Sequence, residues 1–111
     1  MVQITFSHFQ KVDIRTGTIV EAALNPKANV PAYATKIDFG PLGIKTSSAQ
    51  LTENYAAKDL IGKQVIAVVN FRAKRIAGVK SEVLVLGALS DGKGTVLIET
   101  ERPLGNGEKI A

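Results

Sequence analysis

Closely spaced turn signals are the feature that most limits how this chain can fold. Glycine, proline, asparagine and aspartate cluster at residues 25–31, 40–41, 91–94 and 105–107. The apolar stretches between these clusters are short, which favours strands over long helices. The sequence therefore predicts an all-β protein. Its 111 residues, of which 45% are hydrophobic, can fill one core, so we expect a single domain over residues 1–111.

The predicted strands differ in how their apolar residues are arranged. Tyr33–Phe39 alternates, with Tyr33, Ile37 and Phe39 on one face, which is typical of a strand with one buried side. Gln64–Phe71 and Glu82–Leu89 are apolar on both faces, and Thr95–Thr100 forms a sixth strand. One short helix cannot cover this excess of apolar surface. We therefore expect a homodimer.

The first strand and the segment after the third strand carry two local signals. Val12 and Ile14 share one parity and Ile19 has the other, which predicts a bulge or bend at the intervening Gly17. Such a bent strand can serve two sides of a barrel. After a third strand at 42–46, the capping-box spacing of Ser47 and Gln50 predicts a helix over residues 48–56.

These elements together predict the fold class. We expect a β-barrel of the oligonucleotide/oligosaccharide-binding type (OB-fold), with one short helix inserted after the third strand and a short N-terminal helical segment. No secretory signal is visible, and no apolar run reaches the roughly 18 residues of a membrane span. The expectation is a cytoplasmic protein without membrane insertion.

Residues suited to metal binding or catalysis are scarce. The chain has no cysteine, which excludes disulfides, thiolate metal sites and cysteine nucleophiles. Its only histidine, His8, has no second histidine nearby, so neither a zinc site nor a histidine-based triad is indicated. Ser47 and Ser48 lie close to Lys45, but a role in helix capping explains them better than a role as nucleophiles.

One motif resembles a nucleotide-binding loop and is rejected. Gly87–Lys93 fits the first seven positions of the phosphate-binding GxxxxGK pattern. The next residue is Gly94, which has no hydroxyl for Mg²⁺, and a strand follows where a helix is required. A hairpin loop is the better interpretation. We therefore expect a protein that is not an enzyme and that has no cofactor and no metal.

Positive charge is concentrated in one part of the chain. The formal net charge is +4, and the segment from Leu60 to Ser81 contains no acidic residue. Its five cations are Lys63, Arg72, Lys74, Arg75 and Lys80. Such local basicity is typical of a surface that contacts polyanions, although basic residues can also protect a strand edge from aggregation.

Most of these cations lie in the connection between two core strands, residues 70–82, and this connection is the candidate site. Arg72, Lys74, Arg75 and Lys80 can neutralise phosphates, while Asn70 and Ser81 can hydrogen bond to sugars or base edges. The same segment suits an extended polypeptide, because it also offers apolar contacts. The residues expected to supply them are Phe39, Phe71 and Ile76. Both interpretations remain open at this point.

Four separated motifs resemble the tRNA-binding domain family: Asp13–Glu21, Asn25–Asn29, Gly62–Phe71 and Arg75–Glu82. Within that family, other segments resemble the export-related chaperones of the CsaA type in particular: Val30–Ala32, Ile37–Gly40, Lys45–Gln50 and Lys80–Gly87. The resemblance implies a homodimeric OB-fold barrel that binds unfolded or presecretory polypeptides and contacts the export ATPase, with tRNA as an alternative partner. Val83-Leu84 stands where tRNA-binding relatives usually have Gly-Met, and Asn29-Val30 where they have Asp-Lys. These departures favour polypeptide as the main client.

Overall fold

Strands dominate the computed structural model, which describes residues 1–111. The strands are β1 (Ile14–Leu24), β2 (Tyr33–Asp38), β3 (Ile44–Ala49), β4 (Gln64–Val68), β5 (Lys74–Ile76), β6 (Val79–Ser81), β7 (Leu84–Val85), β8 (Gly87–Ser90), β9 (Gly94–Leu97) and β10 (Lys109–Ile110). The helices are α1 (Phe6–Gln10) and α2 (Ala57–Leu60), and a 3-10 turn covers Gly40–Leu42. No helix combines the length and the apolar character needed to span a bilayer.

The long strand β1 serves two sides of the barrel, as predicted. Its first half pairs antiparallel with β4, and from Thr18 onwards it pairs with β2 on the other side. The register with β2 shifts between Ile19 and Glu21. The predicted bulge therefore exists, but it lies at Val20, three residues after the position expected from the sequence.

Gly17 has a different role from the one predicted. It is buried, and a Cβ atom added to it would lie 2.7 Å from the Phe39 ring and 2.8 Å from Ile37 Cγ2. Those distances are well inside van der Waals contact. The glycine therefore makes room for the Phe39 ring in the core rather than bending the strand.

The main sheet has the order β3-β2-β1-β4-β7. Its two outer strands are brought together by the end of β6 and the segment after it, which run along β3. The Glu82 amide donates to the Thr46 carbonyl at 2.9 Å, and the Ser48 amide donates to Ser81 Oγ at 3.2 Å. The result is the nearly closed, all-β OB-fold barrel that the sequence predicts.

The barrel interior holds one cluster of buried apolar side chains. Its members are Ile19, Tyr33, Ile37, Phe39, Ala49, Leu51, Leu60, Val65, Ala67 and Val83. The alternation predicted for β2 is confirmed, because Tyr33 and Ile37 are buried while Lys36 is exposed. Residues 65–68 of β4 are all buried, in agreement with their two-sided apolar pattern.

The predicted helix over residues 48–56 is wrong. Strand β3 continues to Ala49, and the helix of this region is the single turn α2. Ser47 is not a cap: it is fully buried in β3, where its hydroxyl hydrogen bonds to that of Thr35 at 2.8 Å. Pairing of β3 with β2 outweighs a capping signal that rests on two side chains.

The segment from Gly105 to β10 is held against β1. The Thr16 hydroxyl donates to the Gly105 carbonyl at 2.8 Å and accepts from the Glu108 amide at 3.0 Å. Arg15 Nη1 donates to the Gly107 carbonyl at 3.1 Å. The hydrogen bond from Arg15 to the Asp13 carboxylate raises the pKa of the guanidinium group, which stays charged. β10 then pairs with the start of β1.

The remaining strands form two hairpins that project from the main sheet. β5 pairs only with β6, and β8 pairs only with β9. The second hairpin contains Gly87–Lys93, so the interpretation of that motif as a hairpin loop is confirmed. The strand predicted over residues 82–89 is divided into β7 and β8.

Candidate binding groove

A groove of about 460 Å³ lies between the β5–β6 hairpin and the β3 side of the barrel. It collects residues from four strands, β3, β5, β6 and β7, and from the segments that precede β5 and β7. Its lining consists of Ser48, Phe71, Arg72, Lys74, Ile76, Ser81, Glu82, Val83 and Leu84. The structure therefore brings together Phe71, Ile76, Arg72, Lys74 and Ser81 of the residues predicted from the sequence. We call this cavity the hairpin groove.

A second depression of about 370 Å³ adjoins the hairpin groove. The two share Ser48 and Leu84, and the second continues towards the β8–β9 hairpin, where Leu89 and Thr95 line it. Its walls are the end of β3 and residues 84–87. Together, the two cavities form an open path along one side of the barrel, with mostly apolar side chains at its wall positions.

Strand alternation divides the cations of the hairpin between two faces. Lys74 lies opposite Ser81, and Ile76 lies opposite Val79, so these four side chains share the face that borders the groove. The other face carries Arg75 opposite Lys80. Neither of these two residues lines the groove, although the sequence had grouped all the cations into one surface.

The acid of the groove is already associated with cations. Glu82 lies 4.0 Å from the ammonium groups of both Lys45 and Lys80, and its side chain is mostly covered. Arg72 and Lys74 take part in none of the ion pairs of the structure. Their positive charge is therefore available to a partner that enters the groove.

Besides Arg75 and Lys80, two further predicted contact residues lie outside the groove. Phe39 is 0% exposed and packs in the barrel core, so its ring cannot contact a partner. The Asn70 side chain accepts from the Asp13 amide at 2.9 Å and donates to the Lys11 carbonyl at 2.7 Å. The Asn70 side-chain amide thus fixes the segment before β1. This structural role accounts for the residue, and no contact with a ligand is needed to explain it.

Four lining residues were not among the predicted contact residues: Ser48, Glu82, Val83 and Leu84. Val83 is buried, while Leu84 is half-exposed in the short strand β7. The two-sided apolar pattern at 83–86 could have predicted Leu84, because an apolar side chain on the outer face of a barrel indicates a surface that another molecule covers. Ser48 offered no such signal, since its predicted place was in a helix.

Comparison with known protein families shows which family the chain belongs to. Residues 14–109 match the family described as "Putative tRNA binding domain". The chain belongs to the tRNA-binding domain family. Two much longer proteins, both methionine--tRNA ligases, also contain a region similar to this chain. The ligase of Flavobacterium psychrophilum is 35% identical over 96% of this chain, and that of Pyrococcus furiosus is 33% identical over 99%. The chain spans only 16% and 15% of the length of those two ligases.

Solved structures match this tRNA-binding domain over its full length. The chaperone CsaA of Bacillus anthracis has 48% identity and a TM-score of 0.94, covering 99% of this chain and 100% of its own. The CsaA chaperone protein of Picrophilus torridus has 49% identity and a TM-score of 0.92, covering 98% and 100%. The resemblance to the CsaA type is thereby confirmed. A methionyl-tRNA synthetase related protein of Pyrococcus horikoshii, at 22% identity and a TM-score of 0.87, covers 100% of both chains and shares the fold.

Proposed function

We propose that this chain is a non-enzymatic chaperone of the CsaA type that binds unfolded or presecretory polypeptides in the hairpin groove during protein export. The observation that carries the proposal is the groove itself, where apolar side chains lie beside two cations without an acidic partner. The full-length similarity to two CsaA chaperone structures supports it. Neither a metal nor a cofactor is required for such binding.

The chemistry of the groove suits an extended, partly acidic polypeptide. Phe71 and Ile76 supply apolar contact, and the Phe71 side chain is available because the residue is 58% exposed. Arg72 and Lys74 attract carboxylates or backbone carbonyls of the same partner. A mixed lining of this kind binds many sequences weakly rather than one sequence tightly.

The test is the affinity for a labelled, unstructured peptide with apolar and acidic residues, measured by fluorescence anisotropy. Phe71→Ala should weaken binding about tenfold, because a large apolar contact is lost. Ile61→Ala is the matched control, since Ile61 is 53% exposed and lies outside the groove. Equal affinity of both variants, or a collapse of wild-type affinity by 200 mM salt, would contradict apolar binding in the groove.

We also propose tRNA as a second candidate partner. The family and the similarity to methionine--tRNA ligases favour it, and the cations on the outer hairpin face, Arg75 and Lys80, supply the chemistry. If these two cations act together with Arg72 and Lys74 and neutralise about four phosphates per subunit, log affinity should fall with log salt at a slope of about −3.6. A gel shift tests this. If Arg75→Ala retards tRNA as strongly as the wild type does, the outer hairpin face is not the tRNA-binding surface. If the wild type does not retard tRNA at micromolar concentration in low salt, tRNA is not a partner.

Homodimer formation, a cytoplasmic location and contact with the export ATPase complete the proposal. Exposed apolar side chains support the dimer: Phe6 and Ile4 project from the N-terminal segment, and Leu89 is 85% exposed on β8. A second copy covering such side chains would remove apolar area from water. Light scattering should give about twice 11.8 kDa at micromolar concentration. A monomer mass would refute the dimer.

A further inference from the structure

Asn25 has a buried side chain that the proposed function does not yet use. It lies in the loop between β1 and β2, next to Pro26, and the residue is 9% exposed. Its backbone is fixed within that loop, because its amide donates to the Ala32 carbonyl at 3.0 Å and its carbonyl accepts from the Ala28 amide at 3.3 Å. The side chain therefore projects from a rigid base.

The side-chain amide of Asn25 joins two parts of the molecule. Oδ1 accepts from the Lys27 amide at 3.1 Å, within the same loop, and Nδ2 donates to the Ala77 carbonyl at 3.2 Å, at the tip of the β5–β6 hairpin. Exchanging the two atoms would place an oxygen against a carbonyl and a nitrogen against an amide. The hydrogen-bond pattern thus allows one orientation only.

The hairpin tip needs such support. Ala77 has φ 48° and Gly78 has φ 85°, which is the double left-handed conformation of a tight hairpin turn. Glycine adopts it freely, but an alanine is disfavoured there because its Cβ crowds the backbone. Without an external hydrogen bond, the turn would populate other conformations.

The hairpin is attached to the barrel at few places. On the β6 side, Ser81 Oγ accepts from the Ser48 amide, and the Glu82 amide donates to the Thr46 carbonyl. The Thr46 hydroxyl also donates to the Lys80 carbonyl. At its tip, Asn25 is the attachment. Strand β5, which carries Lys74 and Ile76 of the groove wall, pairs only with β6. The position of that wall therefore depends on both ends of the hairpin.

We propose that Asn25 is a positioning residue that holds the hairpin tip and thereby fixes the outer wall of the hairpin groove in its binding geometry. The expected consequence, tighter binding of an extended polypeptide, rests on the proposed function. It arises because the groove wall already has its binding geometry before the polypeptide arrives. Asn25 contacts no partner itself. Its effect is transmitted through Ala77 and β5, because rigid walls lower the ordering cost of binding.

The decisive variant is Asn25→Asp, which keeps the acceptor for the Lys27 amide and removes the donor to Ala77. Amide hydrogen exchange in residues 74–81 should become about fivefold faster, as expected for the loss of one hydrogen bond, while exchange in β1 stays unchanged. Affinity for the labelled apolar and acidic peptide should fall by a similar factor. Unchanged exchange in 74–81 would overturn the proposal.

A second-site change separates positioning from a general loss of stability. Ala77→Gly removes the disfavoured conformation at the tip, so in the Asn25→Asp background it should restore slow exchange in 74–81 and recover most of the peptide affinity. If amide exchange in 74–81 is as fast in the double variant as in Asn25→Asp alone, Asn25 does not act through the hairpin tip. If the wild type binds no peptide, the proposed function fails, whereas the exchange data still decide the role of Asn25.

Discussion

The edge of β1 and the β5–β6 hairpin are both held by contacts between distant parts of the chain, but they are held very differently. β1 exchanges hydrogen bonds with residues 105–110 along its first half, through backbone groups and through the side chains of Arg15, Thr16 and Thr18. The hairpin is attached to the barrel along β6, through bonds to Thr46 and Ser48, and at its tip, through Asn25, while β5 pairs only with β6. One region is therefore reinforced along its length, whereas the other has an outer strand, β5, that no barrel strand supports.

This difference separates the residues that maintain the fold from those that bind. Side chains buried under β1 leave no surface for a partner, as Phe39 shows. The hairpin exposes Phe71, Arg72 and Lys74 because little of the barrel covers it. Substitutions in the two regions should consequently affect different measurements.

The largest effect is expected at Gly17. In Gly17→Ala the new Cβ would lie 2.7 Å from the Phe39 ring, against packed core atoms that cannot easily move. Unfolding free energy, measured by urea denaturation, should fall by about 3 kcal/mol. Gly105→Ala is the control, because its Cβ would meet only Glu108 Oε1 at 3.6 Å. Similar losses in both variants would mean that the Phe39 contact is not the cause.

An intermediate effect is expected at Thr16. Thr16→Val keeps the shape of the side chain but removes its hydrogen bonds to Gly105 and Glu108, which leaves polar groups of the 105–110 segment unpaired. The cost should be about 2 kcal/mol. Thr52→Val, at a half-exposed position, should change the free energy of unfolding much less. If the free energy of unfolding of Thr16→Val equals that of the wild type, residues 105–110 do not reinforce β1.

The smallest effect, with the opposite sign, is expected in the hairpin. Arg75 and Lys80 lie directly opposite each other, and like charges in that arrangement repel. Lys80→Gln should raise the free energy of unfolding by about 0.3 kcal/mol at low salt, because the Lys80 side chain is 61% exposed and Lys45 still lies beside the Glu82 carboxylate. The gain should disappear in 1 M salt. Lys58→Gln, on α2, should show no gain.

The barrel and the location of the site could be predicted because they depend on patterns within short segments. β2 alternates cleanly, and the cations of 72–80 follow one another in the chain, so their shared hairpin was predictable. The sequence could not show that alternation sends Lys74 to the groove and Arg75 to the outer face. That result depends on the register of a three-residue strand.

Other features depend on partners that are distant in sequence. Ser47 carries a capping signal, yet its hydroxyl bonds to Thr35 once β2 and β3 have paired. Phe39 is predicted from the sequence to supply apolar contact to a partner, whereas in the structure its ring packs in the core against Gly17. Likewise β10, with two residues, is a strand only because β1 lies beside it.

The attachment of residues 105–110 to β1 has a consequence for synthesis. A ribosome makes β1 among the first strands, but the partners of the Thr16 hydroxyl arrive 89 and 92 residues later. Contacts of such long sequence separation form slowly, and a nascent chain cannot form them at all until the later residues have been translated. For that interval the first half of β1 has an unpaired edge, which can pair with another chain until residues 105–110 have been added.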